Sequence, residues 1–261
     1  MIKASALTLC PVAESKEMNL AIFRQNNQNI VIDGSSKESI IPLGVENLAY
    51  KLMINDSLIK DFIICLRENY KSKREDFHFS LAGKTDEEKK IIIGLFEELY
   101  GIVSLIHYCP ECQMLNGRIV LSSKAQMFIL GQYMELAIYK QVKDILASLS
   151  DKHNKKFDLY RNVKVSTKEG KLKNEFDLVI ESEDGLIWVI EVKSGRCFRD
   201  FHQYTVVGRT YGIVPDRFLL VDNCLTSEQC EMTQYFCDYL VCNLEKDSFS
   251  EKLISMIEKD M

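Results

Sequence analysis

The chain lacks an apolar run approaching the roughly 18 residues that a membrane-spanning helix needs, which excludes a helical membrane protein. Its N-terminus, Met-Ile-Lys-Ala-Ser-Ala-Leu-Thr-Leu-Cys-Pro, is too short and too polar afterwards for a signal peptide, so a cytoplasmic protein is expected. It lacks excess positive charge: the net charge is −5, which is not the signature of a nonspecific nucleic-acid binder. No internal repeat, low-complexity tract or N-terminal glycine-rich phosphate loop is present. It also lacks a disulfide framework. Nine cysteines, an odd number in irregular spacing amid apolar residues, suit reduced thiols. Cys109-Pro-Glu-Cys112, after His107, has the spacing of one zinc half-site, but a structural site takes four ligands and no second CxxC exists. Unpaired structural cysteines are the expectation.

What is present is a hydrophobic fraction of 46%, enough to bury a core over 261 residues, as one large domain or two. The richest stretch runs from Asn174 to Lys193. Leu178–Ile180 and Leu186–Val192 are apolar runs separated by Glu183-Asp184-Gly185, which reads as a β-hairpin. Three-residue hairpin loops end in a residue at positive φ, which glycine adopts with least strain. A loop centred on Asp184 pairs Ser182 with Leu186, and counting outward sets Asp177 opposite Glu191. Directly paired residues have Cβ atoms about 4.5–5.5 Å apart. Period-two alternation puts Lys193 on the face of Glu191, with Trp188, Ile190 and Val192 on the other, facing the core. Two carboxylates that close repel unless neutralised, and a hard divalent cation such as Mg²⁺ does this with oxygen ligands. The plainer reading of such a face is a solvated Glu–Lys pair.

A third carboxylate comes from an earlier segment. Residues 123–149 read as a helix capped by Ser122 or Ser123, with Met127, Leu130, Met134, Ala137, Ile138, Ile145 and Leu149 near helical period. Glu135 sits among apolar neighbours on this helix, on a face with Gly131 and Tyr139, and a buried glutamate needs a partner. Charge is uneven. Eight bases (Lys152, Lys155, Lys156, Arg161, Lys164, Lys168, Lys171 and Lys173) face three acids between Asp151 and Lys173, a basic rim leading into the hairpin. From Asp222 onward nine acids face three bases. Asp86–Leu105 reads as a helix capped by Thr85, followed by a turn at Asn116-Gly117 and a strand over 117–121. Val45–Met53 and Leu58–Tyr70 read as helices, Leu20–Arg24 and Asn29–Asp33 as strands, and the polar stretch Arg67–Asp76 as a boundary. After the first long helix, strands over 157–166, 175–182 and 186–193, a helix over 199–213, a strand over 217–222, a helix over 227–238, a strand over 239–244 and a helix over 248–260 follow. The helix over 199–213 carries His202 and Arg209, candidates to face a substrate phosphate.

The order helix-Glu135, Asp177, Glu191-x-Lys193 resembles the PD-(D/E)XK nuclease superfamily. Gly131-Gln-Tyr-Met-Glu135, Asn174-Glu-Phe-Asp177, Ile190-Glu-Val-Lys-Ser194 and Val207-Gly-Arg209 are similar to motifs of the nuclease domain in CRISPR-associated CARF-domain nucleases of the Card/Can type, over residues 90–225. Gln132, Tyr133, Val192 and Val207 depart from that pattern, where the group has Gly, Trp, Cys and Gly. The resemblance implies a restriction-endonuclease-like α/β fold, a mixed sheet flanked by helices. It implies Mg²⁺- or Mn²⁺-dependent cleavage of DNA, sometimes RNA, by a homodimer, in prokaryotic defence. It makes Asp177, Glu191, the Val192 carbonyl and Glu135 the metal ligands, with Lys193 orienting or helping to deprotonate the attacking water and offsetting transition-state charge. Lys164, Lys171, Lys173, His202 and Arg209 are the candidate nucleic-acid contacts. The expected organisation is an N-terminal α+β regulatory or dimerisation module over 1–84, a helical connector over 85–122 and the nuclease domain over 123–261. In the named family the N-terminal module senses cyclic oligoadenylate, which makes such a nucleotide the candidate activator. Two other readings compete: a non-catalytic nucleic-acid or nucleotide-binding module on the same fold, and the nuclease subunit of a larger restriction or transposition complex.

Overall fold

The computed structural model describes residues 30–33, 43–99, 101–167, 173–194, 201–245 and 247–261. In chain order, β1 (Ile30–Asp33), α1 (Leu43–Ile54), α2 (Asp56–Ser72), β2 (Asp76–Ser80), α3 (Asp86–Glu98), β3 (Val103–Cys109) and β4 (Met114–Ile119) precede the segment that carries the candidate site. That segment contains α4 (Ser123–Met127), α5 (Tyr133–His153), β5 (Phe157–Thr167), β6 (Lys173–Ser182), β7 (Ile187–Lys193), α6 (His202–Tyr211), β8 (Phe218–Asp222), α7 (Ser227–Cys237), β9 (Leu240–Cys242) and α8 (Ser248–Glu258).

Six strands form a mixed sheet in the order β1-β5-β6-β7-β8-β9. The first four run antiparallel to their neighbours, and β7-β8-β9 are parallel. Helices cover both faces. Leu178, Ile180, Trp188, Ile190 and Val192 pack toward α5 and α8 in one core that also takes in α1, α2 and α3. Val179, Ile187, Val189, Leu220 and Val241 pack on the other face, against Tyr204 and Tyr211 of α6 and Cys230 and Cys237 of α7. The period-two alternation of β7 thus separates two cores. A second, three-stranded antiparallel sheet has the order β2-β4-β3. β1 joins the large sheet, and β2 pairs with β4 from beyond residue 85.

Several expectations need correction. The helix expected over 86–105 starts as read, with a full capping box between Thr85 and Glu88. It ends at Glu98, and Gly101 (φ 89°) turns the chain into β3. The turn expected at Asn116-Gly117 is instead the interior of β4; the chain reverses between Cys109 and Met114. Gly117 is there for close approach, because a Cβ at that position would meet the Phe77 ring at 2.7 Å. Gly117→Val is therefore expected to lower stability by about 1–3 kcal/mol, read as a lower urea midpoint at unchanged slope. The polar stretch expected as a boundary is the end of α2, and Arg67 within it is half-buried. The strand expected over 20–24 lies outside the described residues.

The helix expected over 123–149 is broken. A π-helical turn, Phe128–Gln132, separates α4 from α5, with Gly131 outside helical geometry. Its wider turn shifts the phase of the apolar stripe. Met127 (59%) and Leu130 (41%), expected in the core, are consequently exposed, whereas Met134, Ala137, Ile138 and Leu149 are buried as read.

Candidate metal and nuclease centre

The hairpin register carries Asp177 to the position facing Glu191. Leu178 pairs with Ile190 and Glu181 with Ile187. Ser182 N–H donates to the Leu186 carbonyl at 2.9 Å across a loop in which Gly185 has φ 79°. Side chains then replace the ladder at the open end. Val192 N–H donates to Asp177 Oδ2 at 2.7 Å, and Asp177 N–H donates to Glu191 Oε2 at 3.4 Å. Lys193 Nζ sits between the two acids, 3.1 Å from Glu191 Oε1 and 3.7 Å from Asp177 Oδ2. Its other neighbour is the Tyr204 ring of α6, 5.7 Å to the centroid.

Burial sets the electrostatics. Glu191 is 6% exposed, and burial, then the Asp177 charge, pushes its carboxyl up to about 7 despite Lys193. Burial likewise raises Asp177, against the pull of Lys193 and the Val192 N–H. Burial alone would lower Lys193, but Glu191 and Asp177 outweigh it and hold the ammonium above the usual lysine range. Burial also pushes the Tyr204 phenol up to about 12.

Glu135 is coupled electrostatically to this group from α5. The π turn places it in the first turn of α5 rather than in mid-helix. Burial, then the Asp177 charge, pushes its carboxyl up to about 7, while Lys193 and Arg161 oppose the shift. One guanidinium fixes the approach of the two elements. Arg67 of α2 donates to the Ile129 carbonyl in the π turn at 2.9 Å and to the Ser194 carbonyl just after β7 at 3.1 Å. Gly131 lies against Ser194, whose Oγ would be 3.2 Å from any Cβ there.

Three neighbours escaped the sequence reading as site residues. Arg161 stacks over Tyr139 at 5.2 Å and offsets the charge of Glu135. Asn162, at φ 50°, interrupts the β5–β6 pairing at the position facing Asp177. Asp222, 1% exposed, is the parallel partner of Lys193 on β8. The usable signal was an arginine on an apolar-alternating strand for Arg161; a single aspartate ending a buried strand gave none for Asp222.

The rim candidates are peripheral. Lys164 is exposed, 3.9 Å from Glu175. Arg209 is exposed and pairs with Asp238 at 3.3 Å, and His202 is exposed at the start of α6. Lys171 and the side chain of Lys173 lie outside the described residues.

Among the described residues no three His, Cys, Asp or Glu side chains are gathered tightly enough to enclose a cation as they stand. The donor chemistry nonetheless fits one hard divalent ion. Asp177 and Glu191 are facing carboxylates with surplus negative charge, and Glu135 is a third, half-buried acid near them. Mg²⁺ needs few protein oxygens because it keeps several waters.

The raised carboxyls have a consequence for stability. Glu135 and Glu191 bind protons more tightly in the folded chain than at their ordinary value of 4.5. Between that value and about 7 the folded chain holds more protons than the unfolded one, so stability is full below the ordinary value and is lost as pH rises through the folded value. Without divalent cations, the melting temperature is expected to fall from about pH 5 to about pH 8, and Glu135→Gln to flatten that slope. An identical slope in the variant would count against this account of Glu135.

Solved structures that share the fold include the following two. Protein VC1899 from Vibrio cholerae aligns with a TM-score of 0.57 at 16% identity, covering 84% of this chain and 57% of that one. Can2 from Sulfobacillus thermosulfidooxidans, solved in complex with cyclic tetra-adenylate, aligns with a TM-score of 0.56 at 15% identity, covering 87% of this chain and 58% of that one. The chain thus spans less than two thirds of the length of either structure. No curated protein matches it. Residues 131–235, the span that carries Glu135, Asp177, Glu191 and Lys193 together with α6 and most of α7, match the family model described as NERD, nuclease-related domain.

Proposed function

We propose that the chain is a Mg²⁺- or Mn²⁺-dependent endonuclease that hydrolyses phosphodiester bonds of DNA, with RNA as the second substrate class. The observation that carries this reading is the Asp177–Glu191 pair held around Lys193, with Glu135 entering from α5. Asp177, Glu191, the Val192 carbonyl and Glu135 would hold the cation, which when bound supplies charge neutralisation and an acidified water. The chain's own groups do the rest. Lys193, held protonated by its two acids, offsets negative charge that develops on the phosphate and orients water.

Prokaryotic defence is the setting this reading favours, as a homodimer and with a cyclic oligoadenylate as activator. The match to a nuclease-related domain and the fold shared with Can2, whose structure holds cyclic tetra-adenylate, support it. The deciding assay incubates supercoiled plasmid and single-stranded RNA with Mg²⁺ or Mn²⁺, with and without cyclic tetra-adenylate. Nicking or linearisation that chelator stops is the expected result. Nucleic-acid binding without cleavage in every arm would replace this reading with the non-catalytic module, and cleavage only with a co-purified partner would make the chain a subunit of a larger complex.

A further inference from the structure

The tip of the β3–β4 hairpin carries two thiols that the proposed nuclease centre does not use. Cys109 is the last paired residue of β3, opposite Met114, and Cys112 follows three residues later in the turn. A β-turn brings its first and fourth Cα atoms within about 7 Å, and a disulfide spans Cα atoms about 4.4–6.8 Å apart. The contacts are local. Cys112 N–H donates to Cys109 Sγ at 3.5 Å, and the Cys112 thiol donates to the Cys109 carbonyl at 3.9 Å. Cys112 is exposed and Cys109 half-buried, so small reagents can reach the turn.

The two sulfurs are not equivalent. The Cys112 side chain, then backbone N–H groups of Cys112 and Glu111, stabilise the Cys109 thiolate and lower its pKa. Donating to Cys109 raises Cys112, so one thiol ionises readily while its neighbour keeps a proton. The other shifted thiols move the opposite way: burial raises Cys65 and Cys224, and pushes Cys230 up to about 11 and Cys242 to about 12. Thiolate character with access is what selects a reactive cysteine. A metal chelate fits less well, since a structural zinc takes four ligands and among the described residues no third His, Cys, Asp or Glu joins the pair.

We propose that Cys109 and Cys112 form a thiol–disulfide exchange site, which closes to an intramolecular disulfide at the expense of a low-molecular-weight disulfide such as oxidised glutathione. The Cys109 thiolate attacks one sulfur of the small disulfide; that S–S bond breaks, and one thiolate leaves and takes up a proton. Cys112, once deprotonated, attacks Cys109 Sγ in the mixed disulfide, and the second thiolate leaves and is protonated. The protein dithiol loses two electrons and two protons, and the small disulfide becomes two thiols.

The test treats the reduced full chain with oxidised glutathione under native conditions, quenches with acid and maps the peptides by mass spectrometry. The peptide bearing both cysteines should lose two hydrogens. Cys112→Ser should trap a glutathione adduct on Cys109, and Cys109→Ser should react at Cys112 roughly tenfold more slowly. Cys112→Ser falls in the exposed turn and Cys109→Ser at the half-buried strand end before it, and circular dichroism melts check the fold of each. Equal rates in the two variants, or Cys65 and Cys224 reacting first while the hairpin peptide stays reduced, would overturn the assignment. So would stoichiometric Zn²⁺ uptake by the reduced wild type that blocks oxidation, which would make the pair a metal ligand instead.

Discussion

Asp177→Ala is expected to reduce metal-dependent plasmid nicking by at least about 10²–10³-fold, and Lys193→Ala to do the same. The two losses have different causes. Asp177 Oδ2 accepts the Val192 N–H at 2.7 Å and lies 3.7 Å from Lys193, so its removal takes away an oxygen donor and loosens the strand end that carries the lysine. Lys193→Ala leaves Asp177 and Glu191 facing each other without their cation. In the proposed mechanism the metal would partly replace that charge, so the lysine variant should still bind Mn²⁺ whereas the aspartate variant should bind it weakly. Nicking measured over a series of Mn²⁺ concentrations separates the cases: excess Mn²⁺ should restore little activity to either, but the half-saturating concentration should rise only for Asp177→Ala. Undiminished cleavage by both variants would remove the assignment altogether.

Trp188→Ala is expected to cost about 3–5 kcal/mol of stability, the range for emptying a large aromatic from a core. Trp188 is fully buried on β7, on the opposite side of the strand from Glu191 and Lys193. Its Nε1–H donates to Asp260 at 3.1 Å, and Arg217, itself paired with Asp260, lies over its ring at 5.9 Å. Removing the indole therefore opens a cavity and strips Asp260 of one of its partners. Urea unfolding followed by circular dichroism measures the loss, since Trp188 is the only tryptophan and its fluorescence leaves with it. A cost below about 1 kcal/mol would mean that the core collapses around the vacancy.

Local chemistry was legible in the sequence where it repeats at short range. Alternation along 186–193 and a glycine at the loop end were enough to set Asp177 opposite Glu191. The cap at Thr85 was readable for the same reason: the N–H groups it serves lie within three residues. Long-range packing was not. Gly117 reads as a turn residue until the Phe77 ring from another strand is placed against it. The break before α5 leaves no trace in an apolar pattern that continues through it, and only the exposure of Met127 and Leu130 reveals the phase change. Asp222 reaches Lys193 through a parallel crossover, which no spacing in the sequence encodes. Neither Ile129 nor Ser194 carries any mark that Arg67 would bind their carbonyls.

That last arrangement makes α2 a lever with two attachments. Because a single guanidinium holds both the turn that leads to Glu135 and the strand end that carries Lys193, a rigid shift of α2 drags acid and lysine in the same direction and preserves their spacing. To change that spacing, an event elsewhere in the molecule must detach one carbonyl and keep the other. In the proposed mechanism, competence would then switch by the breaking of a discrete bond rather than grade smoothly with helix position.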